Sequence, residues 1–349
     1  MQQQAQKQVQ PDDTAELRRA KREDFIAGLT DWAGVTAQPL QEDTSVRRFF
    51  RLAKNGKTAI LMDARPPLED TTTFELMQKK LKLIGLTVPE IYAADHAAGL
   101  VLMEDFGDIR FYELITQGKG DLRELYTLAV DALVHKAFAD PKIALEQSAA
   151  YSDEYWLLRV EQFLQYYMPQ VLGRTATKTE RDDFVGLYHE AITAAHQFND
   201  VLLHGDYGAQ NIYHLSDRPG VKALGMIDFQ DMTDARGNMM GSPAFDLSFL
   251  LQDVRVELPA ALEQELRHRF VERAGIKDAH AFDAEYATIG AAQATKCLGL
   301  FARFGHVNKR PEYLKFIPLC LGNLERNLAH PELKGIRNWF IKNNIDIKR

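Results

Sequence analysis

The sequence predicts an α+β protein of two lobes, a small β-rich N-terminal lobe and a large helical C-terminal lobe. Up to about Phe106, short β-rich runs surround an apolar-faced helix, whereas most of the later chain carries apolar residues at helical spacing. The 349 residues are 46% hydrophobic, which is enough for a sizeable core in each lobe. We therefore expect an N-terminal lobe at residues 13–106 and a C-terminal lobe at residues 107–349.

Composition excludes several classes of protein. Residues 1–12 are Gln-rich and polar, so we expect a disordered tail. The chain has no apolar signal-peptide core and no apolar run of about 18 residues, which predicts a cytoplasmic protein without a membrane partner. A net charge of −7 argues against a nucleic-acid-binding surface. The two cysteines are too few for a disulfide framework, which suits a reducing compartment.

The predicted elements follow from periodicity and turn signals. Asn55-Gly56 separates two β-rich runs, and because both residues accept a positive φ the pair predicts a tight hairpin. In the N-terminal lobe we expect helices over residues 14–32 and 74–84 and strands over 47–53, 58–64, 88–94 and 100–103. In the C-terminal lobe we expect helices over residues 122–138, 154–168, 179–198, 258–274, 283–304 and 311–328.

The most informative motif is the polar loop that follows Leu203, His-Gly-Asp-Tyr-Gly-Ala-Gln-Asn. Asp206 can orient and deprotonate an attacking hydroxyl, and Asn211 follows it by five residues, the D-x-x-x-x-N spacing of a phosphoryl-transfer loop. Asp228 ends an apolar run that reads as a strand. Asn211 and Asp228 would be the Mg²⁺ ligands. The alternative is a set of turn residues without chemistry, because Asp, Asn and Gly cluster in turns generally.

Together these features match the two-lobed plan of a protein-kinase-like fold, in which ATP would lie between the lobes. The carbonyl of Glu104 and the amide of Phe106, in the connector, could then hydrogen-bond the adenine edge. The alternative is a plain interdomain linker.

The strand lysine that usually binds the nucleotide phosphates is missing, since Met62 stands in its place. Arg47 and Arg48 are the candidate replacements, because a guanidinium can donate two parallel hydrogen bonds to phosphate. Neighbouring strand residues face opposite ways, so only one of the two should reach the phosphates, and Arg48 is favoured. Either could instead be a solvent-facing arginine of an edge strand.

These motifs resemble the signature of the aminoglycoside phosphotransferase and choline kinase superfamily, H-G-D-x-x-x-x-N followed by I-D-F/W. Further blocks resemble the bacterial N-acetylmuramate/N-acetylglucosamine anomeric kinases, and the likeness extends from about Gln38 to Leu328. The quoted blocks are residues 45–51, Leu-Met-Asp-Ala-Arg-Pro-Pro at 61–67, Ile-Asp-Phe-Gln-Asp at 227–231 and Gly-Leu-Phe-Ala-Arg at 299–303. The resemblance implies ATP-dependent phosphorylation of the anomeric hydroxyl of an N-acetylated amino sugar, in the salvage of peptidoglycan sugars.

The resemblance also suggests roles for five further residues. His204 would brace the catalytic loop through backbone hydrogen bonds, and Asp246 would tie the loop down, both as structural support. Gln230 and Asp231 could bind sugar hydroxyls. Arg303 could bind the lactyl carboxylate of a muramate, although an arginine at this position could equally be a surface residue.

Two other readings remain open at this stage. The acceptor could be another small hydroxyl compound: choline, homoserine or an aminoglycoside. A nucleotide-binding pseudokinase without turnover is the alternative from a different class, because the strand lysine and a glycine-rich phosphate loop are both missing. The resembling sugar kinases share the Met-Asp-Ala pattern at this strand, so the missing lysine does not by itself imply inactivity.

Overall fold

The computed structural model describes residues 14–40, 47–138, 148–150, 153–198, 200–229, 233–234 and 237–348. The tail expected at residues 1–12 lies outside them. The chain divides into two compact units, Met1–Asp108 with Gly225–Gln230 and Ile109–Leu224 with Asp231–Arg349. We call these the N-terminal unit and the C-terminal unit.

The N-terminal unit is built on an antiparallel sheet of five strands in the order β1-β2-β3-β5-β4. Its buried core includes Leu52, Leu61 and Leu102. Asn55 and Gly56 have φ values of 52° and 76°, which confirms the predicted hairpin between β2 and β3. The elements are β1 (Gln38–Pro39), β2 (Arg48–Lys54), β3 (Lys57–Asp63), β4 (Ile91–Asp95), β5 (Leu100–Glu104), α1 (Ala15–Ala27) and α2 (Thr71–Leu83).

A buried charge cluster fixes α1 against the sheet. Asp63, at the end of β3, accepts a hydrogen bond of 3.0 Å from Nε of Arg18 and forms an ion pair of 2.6 Å with Arg22. Arg18 also donates to the carbonyl of Ala98 at 2.8 Å. The charges of this buried cluster are thus paired and hydrogen-bonded, as burial requires.

The segment that carries Asp228 belongs to the N-terminal unit. The amide of Met226 donates to the carbonyl of Thr87 at 2.9 Å, and the fully buried ring of Phe229 stacks on Phe74 at a centroid distance of 4.8 Å. The sequence placed these residues in the 107–349 lobe. In the structure the segment packs in the N-terminal unit instead, because it pairs with Thr87 and buries Phe229 there.

The C-terminal unit is mainly helical, as the sequence predicts. Within the described ranges, no helix combines the length and the apolar character needed to cross a bilayer. Its helices are α3 (Phe111–Thr116), α4 (Leu122–Ala137), α5 (Asp153–Gln162), α6 (Met168–Val171), α7 (Lys178–Ala195), α8 (Ala244–Leu251), α9 (Ala260–Arg273), α10 (Ala279–Ala302), α11 (Ile317–Asn327) and α12 (Lys334–Lys342). Single π-helical turns, Phe163–Tyr167 and Arg303–Val307, continue α5 and α10.

Short strands frame the polar loop from His204 to Asn211. β7 (Val201–Leu202) pairs with β11 (Gly237–Gly241), which also pairs with β6 (Ser148–Ala150) and β10 (Thr233–Asp234). After the loop, β8 (Ile212–His214) and β9 (Leu224–Met226) form a two-stranded hairpin, in which the amide of Leu215 donates to the carbonyl of Ala223 at 2.7 Å. β9 then leads directly to Asp228.

Candidate active site

Asp206 lies in the loop after β7, partly buried and held in place by Asn211. The side-chain amide of Asn211 donates to Oδ2 of Asp206 at 2.8 Å and to its backbone carbonyl at 2.9 Å. Gly205, with φ of 84°, takes the left-handed conformation that turns the chain into the loop. The loop therefore presents a carboxylate whose orientation is fixed by the residue five positions later.

His204 is completely buried and faces the backbone of the loop. Its Nδ1 accepts a hydrogen bond of 3.3 Å from the amide of Asp206, and its ring meets Tyr207 edge-on at 5.5 Å. These two contacts join His204 to the residues that follow it in the loop.

Asp246, near the start of α8, binds the backbone at the beginning of the loop. Its carboxylate accepts from the amides of His204 at 2.7 Å and Gly205 at 2.9 Å, and forms a buried ion pair of 2.8 Å with Lys136. Burial by itself would raise the pKa of Asp246. The charges of Lys136 and His204 and the hydrogen bond from the His204 amide outweigh the effect of burial, so the pKa lies below its usual value.

Lys136 was not found by the sequence analysis, although α4 carried a signal for it. The buried face of that helix includes Leu125, Ala129, Leu133 and Lys136, which follow helical spacing. A lysine at a core position is rarely buried without a partner. Such a lysine indicates that a buried acid packs against the helix.

A second buried acid supports the other end of the loop and was also missed. Asp253 accepts from the amide of Ala209 at 3.1 Å and from that of Arg255 at 2.9 Å. Burial raises its pKa despite Arg255 and these bonds. No periodicity in the sequence marks this residue, which follows the end of α8.

Asp228 lies just after β9 in an uncommon backbone conformation. Its φ is 61°, the left-handed region, which Asp tolerates better than most residues and which occurs often at functional sites. One guanidinium nitrogen of Arg47 lies 3.3 Å from Oδ1 of Asp228, and the two side chains are 12% and 35% exposed. Arg48, the favoured candidate in the sequence, is exposed on β2.

The donor set of these residues fits Mg²⁺. The side chain of Asn211 binds Asp206 through its amide nitrogen in both hydrogen bonds, so its oxygen remains available as a metal ligand, and Asp228 supplies a carboxylate. Mg²⁺ prefers oxygen ligands and commonly keeps only one or two protein groups beside phosphates and water. In the part of the chain that the structure describes, no cluster of three or more His, Cys, Asp or Glu side chains could hold a metal ion alone.

The other residues that the sequence predicts to bind nucleotide or substrate do not share one environment. At the end of β5, the amide of Glu104 donates to the carbonyl of Glu90 at 2.8 Å, and Phe106 is partly buried two residues later. Arg303 is exposed in the π-helical turn after α10, with its guanidinium 5.5 Å from the ring centre of Tyr166. Gln230 and Asp231 lie outside the described residues.

Comparison with known proteins gives consistent findings. The family described as "Phosphotransferase enzyme family" matches residues 36–286. An N-acetylmuramate/N-acetylglucosamine kinase of Caulobacter vibrioides is 27% identical, over 93% of this chain and 96% of its own. The kinase of the same name from Pseudomonas putida is 28% identical, over 86% and 87%. An ADP-bound aminoglycoside phosphotransferase superposes with a TM-score of 0.54 at 13% identity, over 90% of this chain and 99% of its own.

Proposed function

Because the chain belongs to the phosphotransferase enzyme family, we propose that it transfers the γ-phosphoryl group of ATP to a sugar hydroxyl. The protein is a phosphotransferase with a hydroxyl acceptor. The observation that carries the proposal is the fixed carboxylate of Asp206, which Asn211 binds directly and which the buried ion pair of Asp246 and Lys136 supports through the loop backbone.

In this mechanism Asp206 orients the acceptor hydroxyl and takes its proton. The hydroxyl oxygen forms a bond to the γ-phosphorus while the bond from that phosphorus to the β–γ bridging oxygen breaks, and ADP leaves with the bond's electron pair. Such a transfer needs little covalent help from the protein, so positioning and charge stabilisation supply most of the rate. Asn211 would serve both needs, because it orients Asp206 and its side-chain oxygen would be available to hold the cation.

Asn211 and Asp228 would hold Mg²⁺, and the ion would neutralise charge on the phosphates during transfer. Arg47 contributes a second positive charge next to Asp228, at 3.3 Å. We therefore assign the phosphate role of the missing strand lysine to Arg47 in preference to Arg48. The backbone of Glu104 and Phe106 would bind the adenine edge, as the connector does in the two-lobed kinase plan, with residues 13–106 as the nucleotide-binding lobe.

We propose the anomeric hydroxyl of N-acetylmuramate or N-acetylglucosamine as the acceptor. The names of the two relatives, which match this chain over most of its length, support this choice, as do the blocks at residues 61–67 and 299–303. Asp231 and Gln230 would bind the sugar hydroxyls. The activity fits the recycling of cell-wall sugars in the cytoplasm.

The test is an assay of the purified protein with Mg-ATP and a panel of acceptors: the two N-acetylated sugars, choline, homoserine and kanamycin. We expect ADP release only with the sugars, and ³¹P NMR of the product should show phosphate on the anomeric oxygen. Phosphorylation of choline, homoserine or kanamycin in preference to the sugars would replace the proposed acceptor. Nucleotide binding without turnover on any compound would favour a pseudokinase.

A further inference from the structure

Two helices of the C-terminal unit come into backbone contact at Gly299. A Cβ atom on this residue would overlap the carbonyl group of Gln162 and lie 2.6 Å from the amide nitrogen of Phe163. Real side chains do not approach backbone so closely, so only glycine permits this contact. The end of α5 therefore packs directly against α10.

The contact fixes which residues of the two helices face each other. Four residues beyond it on each helix, the guanidinium of Arg303 lies 5.5 Å from the ring centre of Tyr166. Gly299 and Gln162 differ by 137 positions, and so do Arg303 and Tyr166, so the two segments run side by side in the same direction. The same offset, one turn earlier, pairs Lys296 with Arg159.

Two cations thus lie next to each other close to the catalytic loop. Burial lowers the pKa of Lys296, the charge of Arg159 lowers it further, and the charges of Cys297 and Asp206 oppose that change without reversing it. The charges of Asp206 and Arg159 both shift this pKa, so both groups lie within electrostatic range of the Lys296 ammonium group. The geometry agrees, because Lys296 lies against Phe249 of α8, the helix whose Asp246 binds the loop that carries Asp206, all in the C-terminal unit.

Lys296 has little compensation for its partly buried charge. Its Nζ lies 5.9 Å from the ring centre of Phe249, a weak cation–π contact. Among the residues that the structure describes, none forms a hydrogen bond or an ion pair with it. An ammonium group that is partly buried without a hydrogen-bonding or ion-pair partner is unfavourable unless an anion binds there.

We infer that Lys296, with Arg159 beside it, binds the carboxylate of an acidic acceptor sugar, and so determines specificity for N-acetylmuramate over N-acetylglucosamine. The inference rests on the proposed function, because it assumes that a sugar hydroxyl meets Asp206. The lactyl carboxylate of the muramate is only a few bonds from its anomeric carbon. The lactyl carboxylate can therefore reach a cation close to Asp206 while the anomeric hydroxyl of the same sugar contacts the carboxylate of Asp206.

The proposed carboxylate site is at Lys296 and not at Arg303, the residue that the sequence suggested. That residue is seven positions after Lys296 on the same helix, about 10 Å along the axis, and is exposed. An exposed guanidinium is screened by water, whereas a partly buried ammonium group gains more from a bound carboxylate.

The experiment compares the kcat/KM of the two sugars, muramate over glucosamine, in variant and wild type. Lys296→Met keeps the length of the side chain and removes its charge. We expect the ratio to fall tenfold to a hundredfold, the size of one charge-assisted hydrogen bond, mostly through the KM for the muramate. Lys296→Arg should restore most of the preference. Because both sugars are measured on one preparation, a loss of folded protein cancels in the ratio.

Lys277→Met is the matched control, since it makes the same change at an exposed lysine shortly before α10 and should leave the ratio unchanged. An equal loss with both sugars in Lys296→Met would overturn the inference, because the charge would then serve the transferred phosphoryl group or the fold. A change of ratio in Arg303→Met with none in Lys296→Met would overturn it too. A wild-type protein active on N-acetylglucosamine but inert toward N-acetylmuramate would refute it while leaving the sugar-kinase proposal intact. Inactivity on both sugars would refute the proposed function itself.

Discussion

At the scale of single residues, the site depends on carboxylates whose surroundings differ. Asp206 is partly exposed and bound by an amide side chain, whereas Asp246 is buried and ion-paired with Lys136. A partly exposed carboxylate can meet a substrate, while a buried and paired one can only support the fold. Burial and hydrogen-bonding partners thus favour different roles for the two carboxylates.

Substitution of the proposed base tests its role most directly. Asp206→Asn keeps the shape of the side chain but cannot accept the hydroxyl proton, so we expect kcat to fall at least about a hundredfold. Nucleotide affinity, measured by calorimetry with a non-hydrolysable ATP analogue, should change little. Asp217→Asn, in the exposed turn of the following hairpin, is the control and should keep wild-type turnover. Near-normal kcat in Asp206→Asn would show that another group takes the proton.

For single residues, the sequence predicted which groups of the site lie together where those groups are close in the chain. Asp206 and Asn211 are bound to each other, as their spacing suggests. It favoured Arg48 over Arg47, but alternation along a strand says only that the two face opposite ways and not which one meets Asp228. That choice depends on a contact over 181 positions of the chain.

At the scale of elements, the packing of α5 on α10 decides the geometry of the acceptor side. Gly299 lets the two backbones touch, and the side chains on either side of that contact are placed as a consequence. The sequence predicted both helices, α10 with both ends within four residues, whereas α5, expected to run to residue 168, gives way to a π-helical turn after Gln162. It did not predict their contact or the π-helical turns, because helical spacing identifies a buried face without naming the partner.

The helix contact can be tested by adding one methyl group. Gly299→Ala would overlap the backbone of Gln162, so we expect the free energy of unfolding to fall by about 1–3 kcal/mol, as for overpacked cores. Urea denaturation followed by circular dichroism measures it. Gly186→Ala in α7 makes the same change where nothing lies within 4 Å of the new Cβ. It should stabilise by about 0.5–1 kcal/mol, and equal effects at the two sites would contradict the proposed contact.

At the scale of the whole molecule, stability should depend on pH through buried acids of opposite behaviour. The pKa of Asp246 is lowered, so its contribution is complete above the ordinary aspartate value and is lost as pH falls below it. The pKa of Glu285 is raised, first by burial, in spite of hydrogen bonds from Ser242 and the amide of Gln197. Its Oε1 has no hydrogen-bond partner among the described residues. Glu285 therefore destabilises the protein progressively as pH rises above the ordinary glutamate value.

Glu285→Gln should remove this penalty. We expect Tm to rise by roughly 1–2 °C at neutral pH, the shift that about 1 kcal/mol produces in a protein of 349 residues. The gain should shrink toward pH 4, where the wild-type side chain is protonated in both folded and unfolded states. Scanning calorimetry across this range measures the effect, with Glu325→Gln at an exposed position as control. A gain that does not vary with pH would mean that the charge of Glu285 is not the cause.

By itself, the sequence determined the fold class, the β2–β3 hairpin, the helical character of the C-terminal unit and the loop residues from His204 to Asn211. These are local properties, set by periodicity, turn chemistry and short spacing. Only the tertiary structure decided that Lys136 pairs with Asp246, that Arg47 meets Asp228 and that Lys296 lies beside Arg159. Each of these pairs joins residues more than a hundred positions apart. Their contact depends on how buried faces pack, and many different partners satisfy the same local pattern.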